Sequence, residues 1–306
     1  MKKLFSNLAI LGLVILAVAS CNKDEKTESQ KENFYTVQVN LTGEINVGYV
    51  PLTRASLPTG VYGIQVYSTP VELEEGEEEV WTPYAYYVYN GISPSLSINL
   101  YDGYKYSFAA ALVVDGNTRM PYWNTGGQHS APFELYIYGT GSVTENIPTN
   151  HATANFIYNT ELHLMHLSLG LTNLEEGMSY SAARVERYYG CNSAAYIPSA
   201  ENTSVNINMK RTSFGAKFIV SGTATSGTVK FYLGGDEDCA PQEITLSSAD
   251  NVTSDIYSFV SQVDAYLEDE YKEEIPVLIT WNDGEIMRWS EEYNITFQRN
   301  TTTVVT

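Results

Sequence analysis

Basic residues are scarce in this chain. Its 306 residues hold 17 Lys and Arg against 36 Asp and Glu, for a net charge of -19. That balance excludes nucleic acid and anionic lipid as direct partners, because holding phosphate takes Lys and Arg in number. Cysteine is scarcer still. Three cysteines cannot build a disulfide scaffold. Four histidines, with no His/Cys metal spacing, give no basis for a zinc centre, so neither a metal nor a cofactor is expected. The apolar run from Leu8 to Ala19 falls short of the roughly 20 residues that a membrane-spanning helix needs. Charged residues make up only 17%, which leaves little material for amphipathic helices. What the chain does have is 24 Tyr, 10 Phe, 22 Gly and a hydrophobic share of 43%. This is the composition of many strands and turns around a real core, and it excludes full disorder.

The N-terminus carries an address. Lys2 and Lys3 precede the apolar run, which closes on Val18-Ala19-Ser20-Cys21. A basic end, a short apolar core and small residues before a cut make a secretory signal over residues 1–20. The apolar-small-small-Cys order resembles the bacterial lipoprotein box, in which the Cys thiol takes a diacylglycerol and becomes the first mature residue. A thiol suits this because it is a soft nucleophile. Each buried methylene contributes about 0.8 kcal/mol, so two or three chains anchor a domain firmly. Asn22-Lys23-Asp24-Glu25 follows at once and resembles the Lys-acid-acid signal that exports lipoproteins of the Bacteroides group to the outer face of the outer membrane. Residues 21–33 are polar and charged and read as a disordered tether.

Beyond the tether, alternation dominates. Tyr35, Val37, Val39 and Leu41 share one face of a first strand. Tyr62, Ile64 and Val66 follow, then Tyr84, Tyr86 and Val88 running into Asn90-Gly91. Leu96, Ile98 and Leu100 reach Asp102-Gly103, and Tyr104 to Val114 alternates beyond it, which predicts a hairpin over 95–114. The pattern continues through Phe133 to Ile137, Met165 to Leu171, Val205 to Met209, Lys217 to Val220, Val229 to Leu233, Ile244 to Leu246, Val277 to Trp281 and Tyr293 to Val305. Only Val263 to Ile275 predicts a helix. The expected fold is all-β, an antiparallel β-sandwich, as one large domain or two closely joined ones. The Gly/Ser/Thr stretch Ser221 to Thr228 divides it into 34–222 and 223–306, the second part being a separate domain or an extension of the first.

Recognisable catalytic chemistry is missing. There is no Gly-x-Ser-x-Gly and no Cys/His pairing of known spacing. His163 and His166 fall on opposite faces of a strand and cannot share a metal. The glutamates from Glu72 to Glu79 around Gly76, and Asp236-Glu237-Asp238, read as solvated charge runs. Trp81, Trp123, Trp281 and Trp289, with Tyr136, Tyr138, Tyr188 and Tyr189, offer a sugar-stacking platform, although strand aromatics are more often core or cross-strand pairs. Trp123, beside Pro121, Gly126 and Gly127, is the one most suited to a loop and is the ligand candidate. Cys191 and Cys239 can pair outside the cytoplasm or stay separate thiols; a bridge would contribute roughly 4 kcal/mol by chain entropy.

Several segments resemble, in order, the fimbrillin-type surface lipoproteins of the Bacteroides group. They are the lipoprotein box, Phe34 to Leu41, Pro51-Leu52-Thr53-Arg54-Ala55-Ser56, Val61 to Tyr67, Leu96 to Leu112, Met209-Lys210-Arg211 with Gly215 to Val220, and the closing Ile295 to Val305. The resemblance implies transthyretin-like β-sandwich domains and, in many members, assembly into pili. In the polymerising members an Arg-specific protease removes the first strand, and a strand from the next subunit fills the groove. Arg54 is then the candidate cleavage residue; as a lone residue it reads equally well as a solvated loop arginine. The part after Gly222 is shorter than the second domain of a stalk subunit, which leaves an anchor, tip or accessory role open. The expected protein is a non-enzymatic, lipid-anchored, surface-exposed outer-membrane lipoprotein in pilus or fimbria assembly or adhesion. Its partners are the outer membrane through its anchor, other fimbrial subunits, or a host or glycan ligand. The alternative is a surface glycan-binding lipoprotein of a nutrient-uptake system.

Replacing the thiol tests the address. Cys21→Ala should release the protein or leave it unprocessed; unchanged membrane attachment with an unchanged N-terminal peptide mass would refute lipidation.

Overall fold

The structure is a computed structural model. It describes residues 33–43, 57–91, 95–114, 134–137, 157–158, 165–168, 185–192, 194–222, 226–237, 241–247, 251–284 and 286–306. Seventeen strands and one short helix are found among them. The first half holds β1 (Phe34–Gly43), β2 (Gly60–Pro70), β3 (Thr82–Gly91), β4 (Ser95–Tyr101), β5 (Tyr104–Val114), β6 (Glu134–Ile137), β7 (Ile157–Tyr158), β8 (Met165–Ser168), β9 (Arg187–Cys191) and β10 (Ser204–Arg211). Then come β11 (Ser213–Ile219), β12 (Thr228–Leu233), β13 (Gln242–Thr245), β14 (Val252–Ser258), α1 (Gln262–Leu267), β15 (Lys272–Asp283), β16 (Ile286–Gln298) and β17 (Thr302–Val305). The all-β expectation holds.

An eight-stranded sheet in the order β4-β1-β10-β9-β5-β2-β3-β7 makes up the first half apart from β6 and β8, which pair antiparallel with each other. It curls on itself. Val37 and Val39 of β1, Ile98 and Leu100 of β4, and Val205, Ile207 and Met209 of β10 join Tyr62, Ile64, Phe108 and Leu112 of the other arm in one buried cluster. β10 makes the bend: its first part pairs with β1 and its last two residues, Lys210 and Arg211, pair with β9.

Three sequence expectations fail here. β4 and β5 do not form a hairpin. The Asp102-Gly103 turn is real, with Gly103 at φ 81° and its N–H donating to Asp102 Oδ1. Yet β4 pairs only with β1, while β5 pairs with β2 and β9. The turn is a corner between the two arms, because burying Leu96, Ile98 and Leu100 against the facing arm outweighs pairing with the chain neighbour. Neither is the sheet purely antiparallel. β1 runs parallel to β10, and β17 runs parallel to β11. On β3, Ala85 and Tyr87 lie in the core cluster and Tyr84 packs against it, while Tyr86 is buried outside it; the register shift between Val66 and Tyr67 of β2 breaks the expected alternation there.

Two sheets, β14-β11-β17 and β13-β12-β15-β16, share the second cluster. Phe214 and Phe218 of β11 meet Phe297 of β16 and Phe231 of β12, with Phe218 stacked on Phe231 at 4.2 Å between centroids. The predicted helix shrinks to α1. Its Val263 and Leu267 are exposed, so no apolar stripe propagates it, and from Lys272 onward alternation buries Ile275 and Val277 in β15. A tight approach fixes Gly227. It has φ 98°, and a Cβ there would come within 2.3 Å of the Asn282 carbonyl.

The chain crosses from the first cluster to the second at Arg211-Thr212-Ser213, all buried. Polar groups line the crossing. Arg211 pairs with Glu186 at 3.2 Å and donates to Asn300 Oδ1 at 3.3 Å. The Arg299 guanidinium donates to the Arg211 carbonyl at 3.0 Å and to the Asp269 carbonyl at 2.9 Å. Ser213 Oγ accepts from the Arg187 N–H at 2.7 Å, and Ser258 Oγ donates to the Val185 carbonyl at 2.8 Å. Burial pushes the Arg187 guanidinium down to about 9.

Removing one partner of a buried pair leaves the other charged and dry. Glu186→Ala should therefore destabilise the fold by about 3 kcal/mol, read as a lower denaturant midpoint at unchanged slope; a midpoint equal to wild type would refute a structural role for the pair.

Candidate functional site

Two places in the described residues stand out: the seat of β1 and a cleft beside β16. β1 is an interior strand. Phe34 to Asn40 pair antiparallel with β4, and Gln38 to Gly43 pair parallel with β10. Val37 and Val39 are fully buried, and Tyr35 and Leu41 pack against the same cluster, as the alternation predicts. The opposite face carries Thr36, Gln38 and Asn40, which bond to Asn99, Ser97 and Asn206 across the neighbouring strands. Both edges of β1 are thus occupied by backbone, and one of its faces by core. At roughly 1.5–3 kcal/mol per buried large apolar side chain, that face alone represents several kcal/mol. Parallel pairing to β10 also means that β1 and β10 are joined in the sheet by no local turn.

The cleft lies on the open side of the second half, where β16 and β17 each end a sheet. It encloses about 620 Å³ and is walled by Ile219, Phe231, Ile279, Ile295 and Val305. Trp281 and Trp289 are register partners across β15 and β16 and both line it. Tyr293 stands next to Trp289, with ring centroids 6.4 Å apart, and both rings are about two-fifths exposed. The Tyr293 hydroxyl donates to Glu291 Oε2 at 2.7 Å, and this bond holds the phenol above its ordinary value.

The other predicted positions are scattered. Cys21 to Glu25, Arg54, Trp123, Tyr138, His163 and Cys239 lie outside the described residues. Cys191 sits on β9, partly exposed, with its thiol raised by burial and its carbonyl accepting from Tyr266. It lines a second, smaller cavity of about 310 Å³ with Asn192, Asn202 and Tyr196. Of the eight platform aromatics, only Trp281 and Trp289 among the described residues line the cleft. Trp81 instead donates to Glu79 and lies 6.0 Å from the Lys105 ammonium. Lys105 also pairs with Glu79 and holds that carboxyl below its usual range. Tyr188 is buried, and Tyr189 packs edge-on to Tyr266. Glu72 to Glu79 are exposed, and among the described residues no three His, Cys, Asp or Glu side chains gather into a metal set. The cleft was half legible: Trp281 and Trp289 flank the Asp283-Gly284 turn, but nothing in the sequence placed Ile219 and Val305 across from them.

Comparison with known proteins is limited to solved structures. No protein-family model matches the sequence, and no curated protein matches it. Among solved structures, the chain is similar to a candidate adhesin from Bacteroides thetaiotaomicron, with 9% identity, 84% of this chain and 79% of that chain covered, and a TM-score of 0.39. A candidate adhesin from Bacteroides ovatus gives 10% identity, 84% and 76% coverage and a TM-score of 0.38. A fimbrial assembly protein from Parabacteroides distasonis gives 9% identity, 89% and 90% coverage and a TM-score of 0.33. At these identities and scores the similarity does not establish a common family.

The slot geometry is directly testable. A chain lacking residues 34–43 should bind more of a hydrophobic dye than the intact chain, and a synthetic peptide of the β1 sequence should reverse the excess; dye binding and unfolding midpoint equal to the intact chain would show that β1 is not part of the core.

Proposed function

We propose that this protein is a non-enzymatic surface lipoprotein of fimbrillin type, acting in fimbria assembly or adhesion. The observation that carries the reading is β1, an early strand held between β4 and β10 with its apolar face in the core. Loss of such a strand leaves unpaired backbone on two neighbours and open pockets where Val37 and Val39 sat. An incoming strand of like alternation satisfies both, by the same physics that pairs sheet edges. Arg54 follows β1 in the chain, between it and β2, and Pro51 and Pro58 near it disfavour regular structure, as a cuttable segment requires. Cys21 stands before β1, so in this reading cleavage at Arg54 frees the body from its lipid while the anchor and strand leave together. The two clustered halves are in this reading transthyretin-like sandwiches, lipid-anchored at the outer membrane through Cys21 and exported by Asn22 to Glu25. The partners are other fimbrial subunits or a glycan ligand.

Arg54→Ala is the decisive variant. In the polymerising case wild-type cells should show a heat-resistant ladder of multimers on denaturing gels, and the variant should lose it and retain residues 21–54. A wild-type protein that is monomeric on the cell with an intact Arg54-Ala55 bond would remove the strand-exchange reading.

A further inference from the structure

The cleft beside β16 is not used by strand exchange at β1. Its walls are aliphatic, but its mouth is not. Trp289 and Tyr293 stand there with 40% and 42% of their surface exposed, and Trp281 extends the aromatic surface inward from the neighbouring strand. Exposed aromatic rings at a concave site present π faces that attract polarised C–H groups. Hydrogen-bonding groups accompany them: Ser221 and Asn294 line the cleft, and the Glu291 carboxylate is held beside the Tyr293 hydroxyl. Among the described residues no charged side chain lines the cleft itself. The volume, about 620 Å³, falls within the range of small-ligand sites.

These features select a ligand with an apolar face, a hydroxyl-bearing edge and no charge. Anionic ligands are opposed by a net charge of -19 and by the Glu291 carboxylate held beside Tyr293. An extended peptide adding to the sheet is disfavoured for a related reason: the exposed Glu291 and Glu292 sit on the edge strand, where charge blocks strand addition. We infer that the cleft binds a neutral carbohydrate, with Trp289 and Tyr293 stacking on the sugar's C–H face and Ser221, Asn294 and Glu291 meeting its hydroxyls. This gives the surface-adhesion reading a ligand class and rests on that reading for its purpose; its chemistry is independent of β1.

The test uses the full chain carrying Arg54→Ala, so that binding is measured on one uncut species. Probes are maltoheptaose, cellohexaose, mannohexaose and a galactan oligosaccharide, with polygalacturonate as the anionic control and a peptide of the β1 sequence as the strand control. At least one neutral oligosaccharide should bind with a change in tryptophan emission. Trp289→Ala should weaken it roughly two- to tenfold, the range for loss of one aromatic contact. Tyr293→Phe keeps the ring and should cost less than Tyr293→Ala. Both positions are exposed, so circular dichroism should report an intact fold. Absence of binding to every neutral probe at millimolar concentration would overturn the inference. So would an affinity unchanged in both Trp289→Ala and Tyr293→Ala, preference for polygalacturonate, or displacement of the sugar by the β1 peptide. None of these results bears on the multimer ladder of the wild type, so the two readings fail separately.

Discussion

The Arg211 guanidinium is 1% exposed and lies where the backbone passes from one hydrophobic cluster to the other. A dry cation is tolerated only if it is paired and hydrogen-bonded. Glu186 before β9, Asn300 after β16 and the Arg299 side chain, which holds the Arg211 carbonyl, are drawn to one point by that need. The consequences extend outward. Asn300 sits at φ 59° and donates its N–H to the Ser213 carbonyl, which brings the chain round so that β17 can run parallel to β11. Arg299 reaches the Asp269 carbonyl, and the Asp269 carboxylate, held below its usual range by Lys210, fastens the end of β10 to the loop after α1. A polar knot thus sets the register at which the curled sheet meets the two smaller ones.

Around that knot the two clusters serve different ends. The first is closed around β1, which contributes buried valines and both ladder edges. Its cohesion depends on one strand that is early in the chain and, through the parallel pairing, topologically separable from the rest. The second cluster is complete without any such strand but is open along β16 and β17, where aromatic rings face solvent. In the proposed reading, strand exchange at β1 and ligand binding at the cleft draw on separate clusters. The two features lie in different parts of the chain, so each can change without the other.

Strand content was legible where one face is buried and the other wet. Val37 and Val39 on β1, Ile98 and Leu100 on β4 and Phe108 and Leu112 on β5 all face the core as their alternation requires. Strands without that contrast were missed. β9 reads Arg-Tyr-Tyr-Gly-Cys and is largely buried on both faces, so its sequence has no period of two. β14 is mostly half-exposed, and its Asp255 and Ser254 masked the Val252, Ile256 and Tyr257 that a β-propensity count could have found.

Composition and alternation by themselves determined an all-β chain, acidic and poor in cationic sites, with the apolar faces of strands such as β1, β4 and β5 assigned. They could do so because charge is a sum over residues and facing is a local period. Partnership between strands is neither. The turn at Asp102-Gly103 looks identical in sequence whether it closes a hairpin or turns a corner, and only the buried area gained between the two arms decided for the corner. The parallel seat of β1 against β10, more than 150 residues apart in the chain, and the meeting of Trp281, Trp289 and Val305 at one cleft were decided in the same way, by burial across distances that no window of sequence spans.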